Sequence, residues 1–364
     1  MKRKVRVGLI FGGRSGEHTV SLASANSVLR ALDPERYEAV PIGITREGQW
    51  LIAESGRDLL ANPEVTLELP DTAEAMLDVT HHGIIPVNHR GGIDRHDTAV
   101  DVCFPLLHGP NGEDGTLQGL LELADLPYVG SGVFASAASM DKGQMKRLFR
   151  DAGLPQVPWV TLRGREWERD ADGVVARIEA ELSYPVFVKP CNLGSSVGIT
   201  KAVDGEALRA SIAVALAHDR RVIVEQGVDA REVEVGVLGN DEPLVSVPGE
   251  VIPHNEFYDY ESKYTDGLAD LIIPARISDE QRATINEIAV RAFETVDAAG
   301  LARVDFFIRR SDGAILLNEI NTIPGFTQTS MYPKLWEASG VPYPELIGRL
   351  IQFAIDRHRD KPSR

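Results

Sequence analysis

The sequence predicts an open α/β domain followed by two smaller units that mix strands and helices, and three observations carry that prediction. The first 45 residues read as strand, glycine turn, helix and strand. Further on, 99-AVDVCFPLLHG-109 is a nearly continuous apolar run ending at a glycine, the pattern of a strand buried on both faces. From residue 131 onward, strand-like and helix-like segments alternate at short spacing, and 231-REVEVGVLG-239 is an alternating strand.

Composition sets the outer limits. A chain of 364 residues folds as two or three domains with ample core. Its 43% hydrophobic and 25% charged residues are those of an ordinary globular protein, and no apolar run approaches the ~18 residues of a membrane span. The opening MKRKVRVGLIFGG is basic and then apolar, as a signal peptide is, but Arg6 interrupts the apolar part, which runs into glycines rather than a cleavage site. A first buried strand is the expectation. Two cysteines, Cys103 and Cys191, are too few for a disulfide framework and point to a reducing compartment. A net charge of −16 with no basic block argues against nucleic acid as a partner. It leaves room for a small phosphorylated ligand, which needs only a few placed lysines and a metal.

In the first unit, residues 1–130, Val5, Val7, Leu9 and Ile10 are strand-like, 12-GGRSGEH-18 turns the chain, 19–32 is an apolar-periodic helix and 37–45 a second strand. Residues 53–97 carry few signals and are assigned no element or function. Ligands of such sheets bind beyond the carboxyl ends of the strands, where the polar loops 12–18 and 108-HGPNGEDGTLQG-119 lie. The second unit, 131–226, holds a helix over 141–152, strands 185–190 and 198–203, a helix over 205–217 and strand 221–226. The third, 227–364, adds a Tyr-rich polar stretch (254–267), a helix over 279–299, a hairpin over 302–321 and a final helix over 343–357.

The hairpin 302-ARVDFFIRRSDGAILLNEINTIPG-325 is the most informative stretch. Its SDG suits a three-residue loop with Gly313 left-handed, pairing residue 310 with 314. Asp305 then faces Glu319 and Arg303 faces Asn321, all four on one face because side chains alternate with period two. Val304, Phe306, Ile308, Leu316 and Ile320 take the other face, as a core would. Two opposed carboxylates destabilise a sheet unless a divalent cation lies between them. Asp, Glu and Asn oxygens are hard donors suited to Mg2+, completed by phosphate oxygens and water. The alternative is a solvated polar face on which Arg303 simply pairs with Asp305, and a two-residue Asp-Gly turn would put Glu319 on the opposite face.

The stretch 188-VKPCNLGSSVGIT-200 reverses the order of a P-loop, where glycines precede the lysine. Lys189 ends a strand that aims it, and NLGSSVG is small enough for backbone N–H groups to close over phosphate oxygens. The alternative is an ordinary turn with an exposed lysine. Lys142, near a helix start, either presents a second cation or is solvated. Glu225 and Glu232, seven residues apart, can accept hydrogen bonds from a ribose or an adenine amino group. Glu17 lies near a helix N-terminus, where the dipole favours a carboxylate. It is either a stabilising first-turn acid or a site for a substrate ammonium. His108 is a minor candidate, Cys103 reads as packing, and no histidine is near Cys191 in sequence, so a thiol nucleophile has no support.

Together these motifs resemble the ATP-grasp enzymes and, among them, the D-alanine–D-alanine ligases. The resemblance runs in order through GGRSGEHTVS (12–21), HGPNGEDGTLQG (108–119), SGVFASAASMDK (131–142), VKPCNLGSSVGITK (188–201), FYDYESKYT (257–265), ARVDFF (302–307) and NEINTIPGFTQTSMYP (318–333). It implies a three-domain ATP-grasp architecture: an N-terminal open α/β (Rossmann-like) domain, 1–130, a central ATP-grasp subdomain, 131–226, and a C-terminal one, 227–364, bearing the metal hairpin. ATP would lie between the last two. The implied reaction joins two D-alanines for peptidoglycan. One carboxylate attacks the γ-phosphate, the second amine attacks the resulting acylphosphate, and phosphate leaves a tetrahedral intermediate.

Carried over to this sequence, the resemblance assigns Lys142 and Lys189 to ATP phosphates, with a flap over 193–198, including Gly194, Ser195 and Ser196, closing over them. Glu225 and Glu232 hold adenine and ribose. Asp305, Glu319 and Asn321 bind two Mg2+ ions, for which Mn2+ can substitute, with Glu319 bridging. Glu17 takes the ammonium of the first D-alanine in a network with Ser195 and Tyr264. Arg303 and the Gly325 N–H stabilise the oxyanion, and Ser330, beside Met331, receives the second carboxylate. Lys263 approaches phosphate from a closing loop. Relatives that accept D-lactate carry a histidine in place of the Lys-Tyr pair, so Lys263-Tyr264 implies the amine-using ligase; D-lactate or D-serine as second substrate is the alternative. His254 reads as loop surface, and Asn192-Leu193 departs from members with a charged residue there. The resemblance further implies a homodimer; the reducing compartment and the ATP requirement agree on the cytoplasm, and the charge and hydropathy leave no nucleic-acid or membrane partner expected.

Overall fold

The computed structural model describes residues 3–52, 60, 74–78, 83–87, 100–194, 196–253 and 269–361. Three sheets organise them. The first has the order β5-β4-β3-β2-β1-β6. Strands β1 (Val5–Gly12), β2 (Tyr37–Ile44) and β6 (Val102–Pro105) are parallel, as the open α/β reading expects. Strands β3 (Trp50–Ile52), β4 (Glu74–Asp78) and β5 (Gly83–Val87) extend it antiparallel; the last two fall in the stretch that gave no pattern. Val7, Leu9 and Phe11 pack on α1 (His18–Ala31), while Ile10 and Ile42 pack with Leu117 and Leu121 of α2 (Thr116–Leu123). Burial on both faces explains the absence of polar alternation in these strands. Helix α2 begins at Thr116, so the loop 108–119 is shorter than its motif.

After α3 (Val133–Met140) and α4 (Lys142–Asp151), the second sheet is antiparallel, in the order β7-β10-β8-β9. Its strands are β7 (Trp159–Arg163), β8 (Val186–Pro190), β9 (Thr200–Ala202) and β10 (Arg221–Gln226). Beyond the short α5 (Gly164–Arg169), helices α6 (Ala171–Glu181) and α7 (Gly205–Leu216) cover one face through Ile178, Leu208 and Ile212. Val186, Val188, Val222 and Val224 point into that core. Lys189 and Glu225 therefore project from the other face.

The third sheet runs β14-β13-β11-β15-β16, with β12 (Leu244–Val245) off β11. Strands β11 (Ala230–Gly239), β13 (Gly249–Pro253), β14 (Ala269–Ile272), β15 (Gly300–Arg309) and β16 (Ile315–Asn321) all pair antiparallel. Val233, Val235, Val304 and Phe306 pack on Ile285, Ala289 and Phe293 of α8 (Asp279–Thr295), joined by Met145 and Phe149 of α4. The remaining helices, α9 (Met331–Ala338) and α10 (Tyr343–Arg359), pack in one core with the first sheet, to which Leu346, Leu350 and Ile351 contribute. Among the described residues no helix is long and apolar enough to cross a membrane.

The hairpin reaches the expected pairing by a different route. Arg309 N donates to Ala314 O (2.9 Å) and Gly313 N to Arg309 O (2.8 Å), so the loop has four residues, 310–313, not three. Ile308 accordingly pairs with Ile315, and Phe307 with Leu316. A bulge at Asn318 then restores the register, so Asp305 faces Glu319 and Arg303 faces Asn321. Leu317, not Leu316, joins the core together with Ile320. Two core residues three apart cannot share a face of a regular strand; the extra residue of the bulge allows it.

Candidate active site

The faces of the second and third sheets turned away from α6, α7 and α8 enclose a cavity of about 760 Å3. The cationic side is built on β8, β10 and α4. Lys189 Nζ donates to Glu225 Oε2 at 2.7 Å, and Lys146 Nζ lies 3.3 Å from Glu225 Oε1. Glu225 and Lys146 are buried and Lys189 is half-buried: burial disfavours the Glu225 charge, but Lys146 and Lys189 outweigh it and hold the carboxyl below its ordinary range. Burial likewise opposes the Lys189 charge, and Glu225 overcomes it and raises that ammonium. For Lys146 burial wins, and its pKa is lowered. Lys146 also donates to the carbonyl of Asn318, the bulge residue, at 3.3 Å. The sequence reading passed over Lys146; its signal is the spacing of four from Lys142, which places both on one side of α4. Lys142 stands at the first turn of that helix, which Asp141 caps by accepting from Gln144 N at 3.0 Å. Its Nζ donates to Leu193 O at 2.7 Å, at the start of the 193–198 stretch. Gly194 and Ser196 line the cavity, and Ser196 (φ +58°) and Gly198 (φ +73°) are left-handed. Ser195 lies outside the described residues. Burial pushes the Cys191 thiol up to about 12, which agrees with the absence of a thiol nucleophile.

The acidic side comes from the third sheet. Arg303 Nε and Nη2 each lie 2.7 Å from an oxygen of Asp305, a bidentate fork. Glu234, on β11 opposite Asp305, brings Oε2 to 3.0 Å from Arg303 Nε. Burial opposes this guanidinium's charge, yet Asp305 and Glu234 hold its pKa well above the ordinary value. Glu319 and Asn321 follow on β16, and Glu232 lines the same cavity. Glu234 is a second residue that the sequence reading did not single out, although 232-EVEVGV-237 places it on the face of Glu232. Among the described residues no three carboxylate, imidazole or thiol groups form a metal cage of their own. Two opposed carboxylates and an amide, open to a wide cavity, are nevertheless a donor set that fits Mg2+, which keeps positions for phosphate and water.

The first sheet supplies the third side. Glu17 occupies the N-cap position of α1 without a side-chain cap bond and is buried. A methyl group at Gly109 would come within 2.5 Å of Glu17 Oε2, and one at Gly194 within 3.3 Å, so this carboxylate sits between the 108–115 loop and Gly194. His108 is buried beside it, with Nε2 3.3 Å from Ser24 Oγ and Nδ1 3.9 Å from Glu113 Oε1. Burial works to lower His108, but Glu113 and Glu17 outweigh it and raise the imidazole. Glu113, also unpredicted, accepts from Gly109 N at 2.8 Å. Gly325 adjoins Ser330: a methyl group there would lie 3.2 Å from Ser330 Oγ, which bonds Thr327 Oγ1 at 2.7 Å. Lys263, Tyr264 and His254 lie outside the described residues, as does the whole of the Tyr-rich stretch 254–267.

Two α+β sheets that face one cleft, lysines on one and carboxylates on the other, behind an open α/β domain, define an ATP-grasp protein. Family models narrow this further: the D-ala D-ala ligase N-terminus matches residues 6–131 and the D-ala D-ala ligase C-terminus residues 148–352. The chain belongs to the D-alanine–D-alanine ligase family. It is 51% identical to the D-alanine–D-alanine ligase of Geobacillus thermodenitrificans (strain NG80-2), over 98% of this chain and 97% of that one. It is 50% identical to that of Geobacillus kaustophilus (strain HTA426), over 99% and 97%. Among solved structures, the VanG D-Ala:D-Ser ligase from Enterococcus faecalis superposes with a TM-score of 0.85 at 36% identity, covering 97% of this chain and 100% of that one. The D-alanine–D-alanine ligase from Coxiella burnetii gives the same TM-score and identity, over 98% and 95%.

Proposed function

We propose that this chain is an ATP-dependent ligase that joins two D-alanines into D-alanyl-D-alanine through D-alanyl phosphate, releasing ADP and phosphate, for peptidoglycan synthesis in the cytoplasm. The observation that carries this reading is one cavity lined by Lys142 and Lys189 on one side, Arg303, Asp305 and Glu319 on another, and Glu17 at the flap. Supporting the division at 130 and 226, each of the three sheets falls within one proposed domain. A homodimer is supported by the exposed apolar pair Val133 and Phe134 at the start of α3.

Lys142 and Lys189 bind the nucleotide phosphates, and the flap at 193–198 closes on them. Glu225 and Glu232 take the adenine and ribose. Asp305, Glu319 and Asn321 hold two Mg2+ ions, which when bound neutralise charge on the moving phosphoryl group. Glu17 holds the ammonium of the first D-alanine, so that its carboxylate points toward the phosphates; Ser195 and Tyr264 complete that pocket. Lys263 brings a further cation, and closure of its loop excludes water that would hydrolyse the acylphosphate. Arg303 and the Gly325 N–H take the oxyanion as the second amine attacks; one such donor lowers the barrier by about 3–4 kcal/mol. Ser330, at the N-terminus of α9, receives the second carboxylate.

The test is phosphate release from Mg2+ and ATP with D-alanine alone, then with D-serine or D-lactate added. Release with D-alanine alone, matched one to one by dipeptide, is the expected result. Silence until D-serine or D-lactate is added would assign the second acceptor instead, an outcome kept open by the similarity to a D-Ala:D-Ser ligase.

A further inference from the structure

Arg303 and Asp305 make conflicting demands on each other. An oxyanion donor must stay fixed beside Gly325, and a metal ligand must turn its oxygens toward the cation. Yet both oxygens of Asp305 are held by the Arg303 fork at 2.7 Å. A buried guanidinium cannot lose its carboxylate without a large penalty unless another carboxylate is already in reach. Glu234 meets that condition. It is 5% exposed, stands directly across from Asp305 on the neighbouring strand, and lies 3.0 Å from the same Nε.

We propose that Glu234 is the positioning residue of Arg303: the standing counter-ion that keeps the guanidinium in place while Asp305 turns to the metal. The proposal rests on the ligase reading of this cavity. Glu234 acts through Arg303 rather than as a third metal ligand, because its Oε2 faces the guanidinium and no three-carboxylate cage exists among the described residues. With Glu234 neutral, Arg303 depends on Asp305 alone, and Asp305 is withdrawn from the metal. Side chains that orient a metal ligand typically change affinity by about 10–100-fold.

The experiment measures Mn2+ binding to the full chain with ADP, from the loss of the free-ion electron spin resonance signal, for E234Q, D305N, R303M and R303M/E234Q. E234Q is expected to bind Mn2+ about 10-fold or more weakly, with kcat falling and the KM for D-alanine little changed. R303M is expected to bind at least as tightly as the parent, and adding E234Q to it should change nothing. Unaltered affinity in E234Q overturns the proposal, as does an equal loss in the R303M background, which would make Glu234 a direct ligand. D305N separates this failure from failure of the metal reading: parental Mn2+ binding by D305N removes the metal site and the proposal with it. Weak binding by D305N beside unaltered E234Q removes only the role of Glu234. Should E234Q not fold, E234D, which keeps the charge and shortens its reach, is expected to lose affinity in the same direction; unaltered affinity there is equally fatal.

Discussion

A lysine that stays buried needs a carboxylate, and Glu225 serves the buried Lys146 and the half-buried Lys189 together. If Lys189 leaves Glu225 for a phosphate, Lys146 keeps that carboxylate compensated. The variant Lys146→Met should therefore cost about 3 kcal/mol of stability, the low end for breaking a buried pair, because Glu225 retains Lys189. It should also raise the KM for ATP several-fold, since Lys189 is then less free to move; urea denaturation and initial rates read the two effects. The pH dependence has two edges. Glu225 lies below its ordinary 4.5, so its contribution is present above that value and is lost as pH falls through the lower folded value. Lys189 lies above its ordinary 10.5, so its contribution is complete below that and disappears as pH rises further. Lys189 was legible in the sequence because a strand aims it. Lys146 and Glu113 were not, because their roles arise from partners 79 residues away in one case and from a loop closing on itself in the other.

At the scale of elements, alternation of Arg303 and Asp305 with Val304 and Phe306 was enough to place the acidic face correctly. The three-residue loop reading put Leu316 in the core, whereas Leu317 takes that place, because the sequence did not disclose the longer loop or the bulge before Glu319. Strands β4 and β5 went unseen because short strands at a sheet edge need little apolar pattern. Helix α9 presents a further constraint. It packs on the site face of the third sheet, where Gly236 and Gly249 leave room for it. A methyl group at Gly236 would come within 2.7 Å of Trp336 Nε1, and one at Gly249 within 2.8 Å of Leu335. Gly236→Ala should destabilise the protein by about 1–3 kcal/mol through overpacking. By displacing α9 it should also raise the KM for the second D-alanine more than that for ATP. Calorimetric melting and two-substrate kinetics check both parts.

Across the whole molecule, α10 binds the first sheet to the rest. Arg357 donates to the carbonyls of Tyr128 and Gly130 and lies 4.6 Å over the Tyr128 ring, and Lys361 pairs with Glu122 at 2.6 Å. Leu350 is fully buried in the core shared with Val7, Leu9 and Phe11. Leu350→Ala should cost about 2–5 kcal/mol. Because the core is shared, protease sensitivity should rise within residues 100–130 as well as at α10, which limited proteolysis with mass spectrometry would show.

This shared core has a consequence for biosynthesis. The ribosome releases β1, β2 and β6 well over two hundred residues before α10. At about 5–20 residues per second, part of the apolar face of the first sheet stays open to nascent-chain chaperones for on the order of ten seconds or more. The first domain to be synthesised is thus among the last to be finished, and its completion is timed by translation of the chain's final helix.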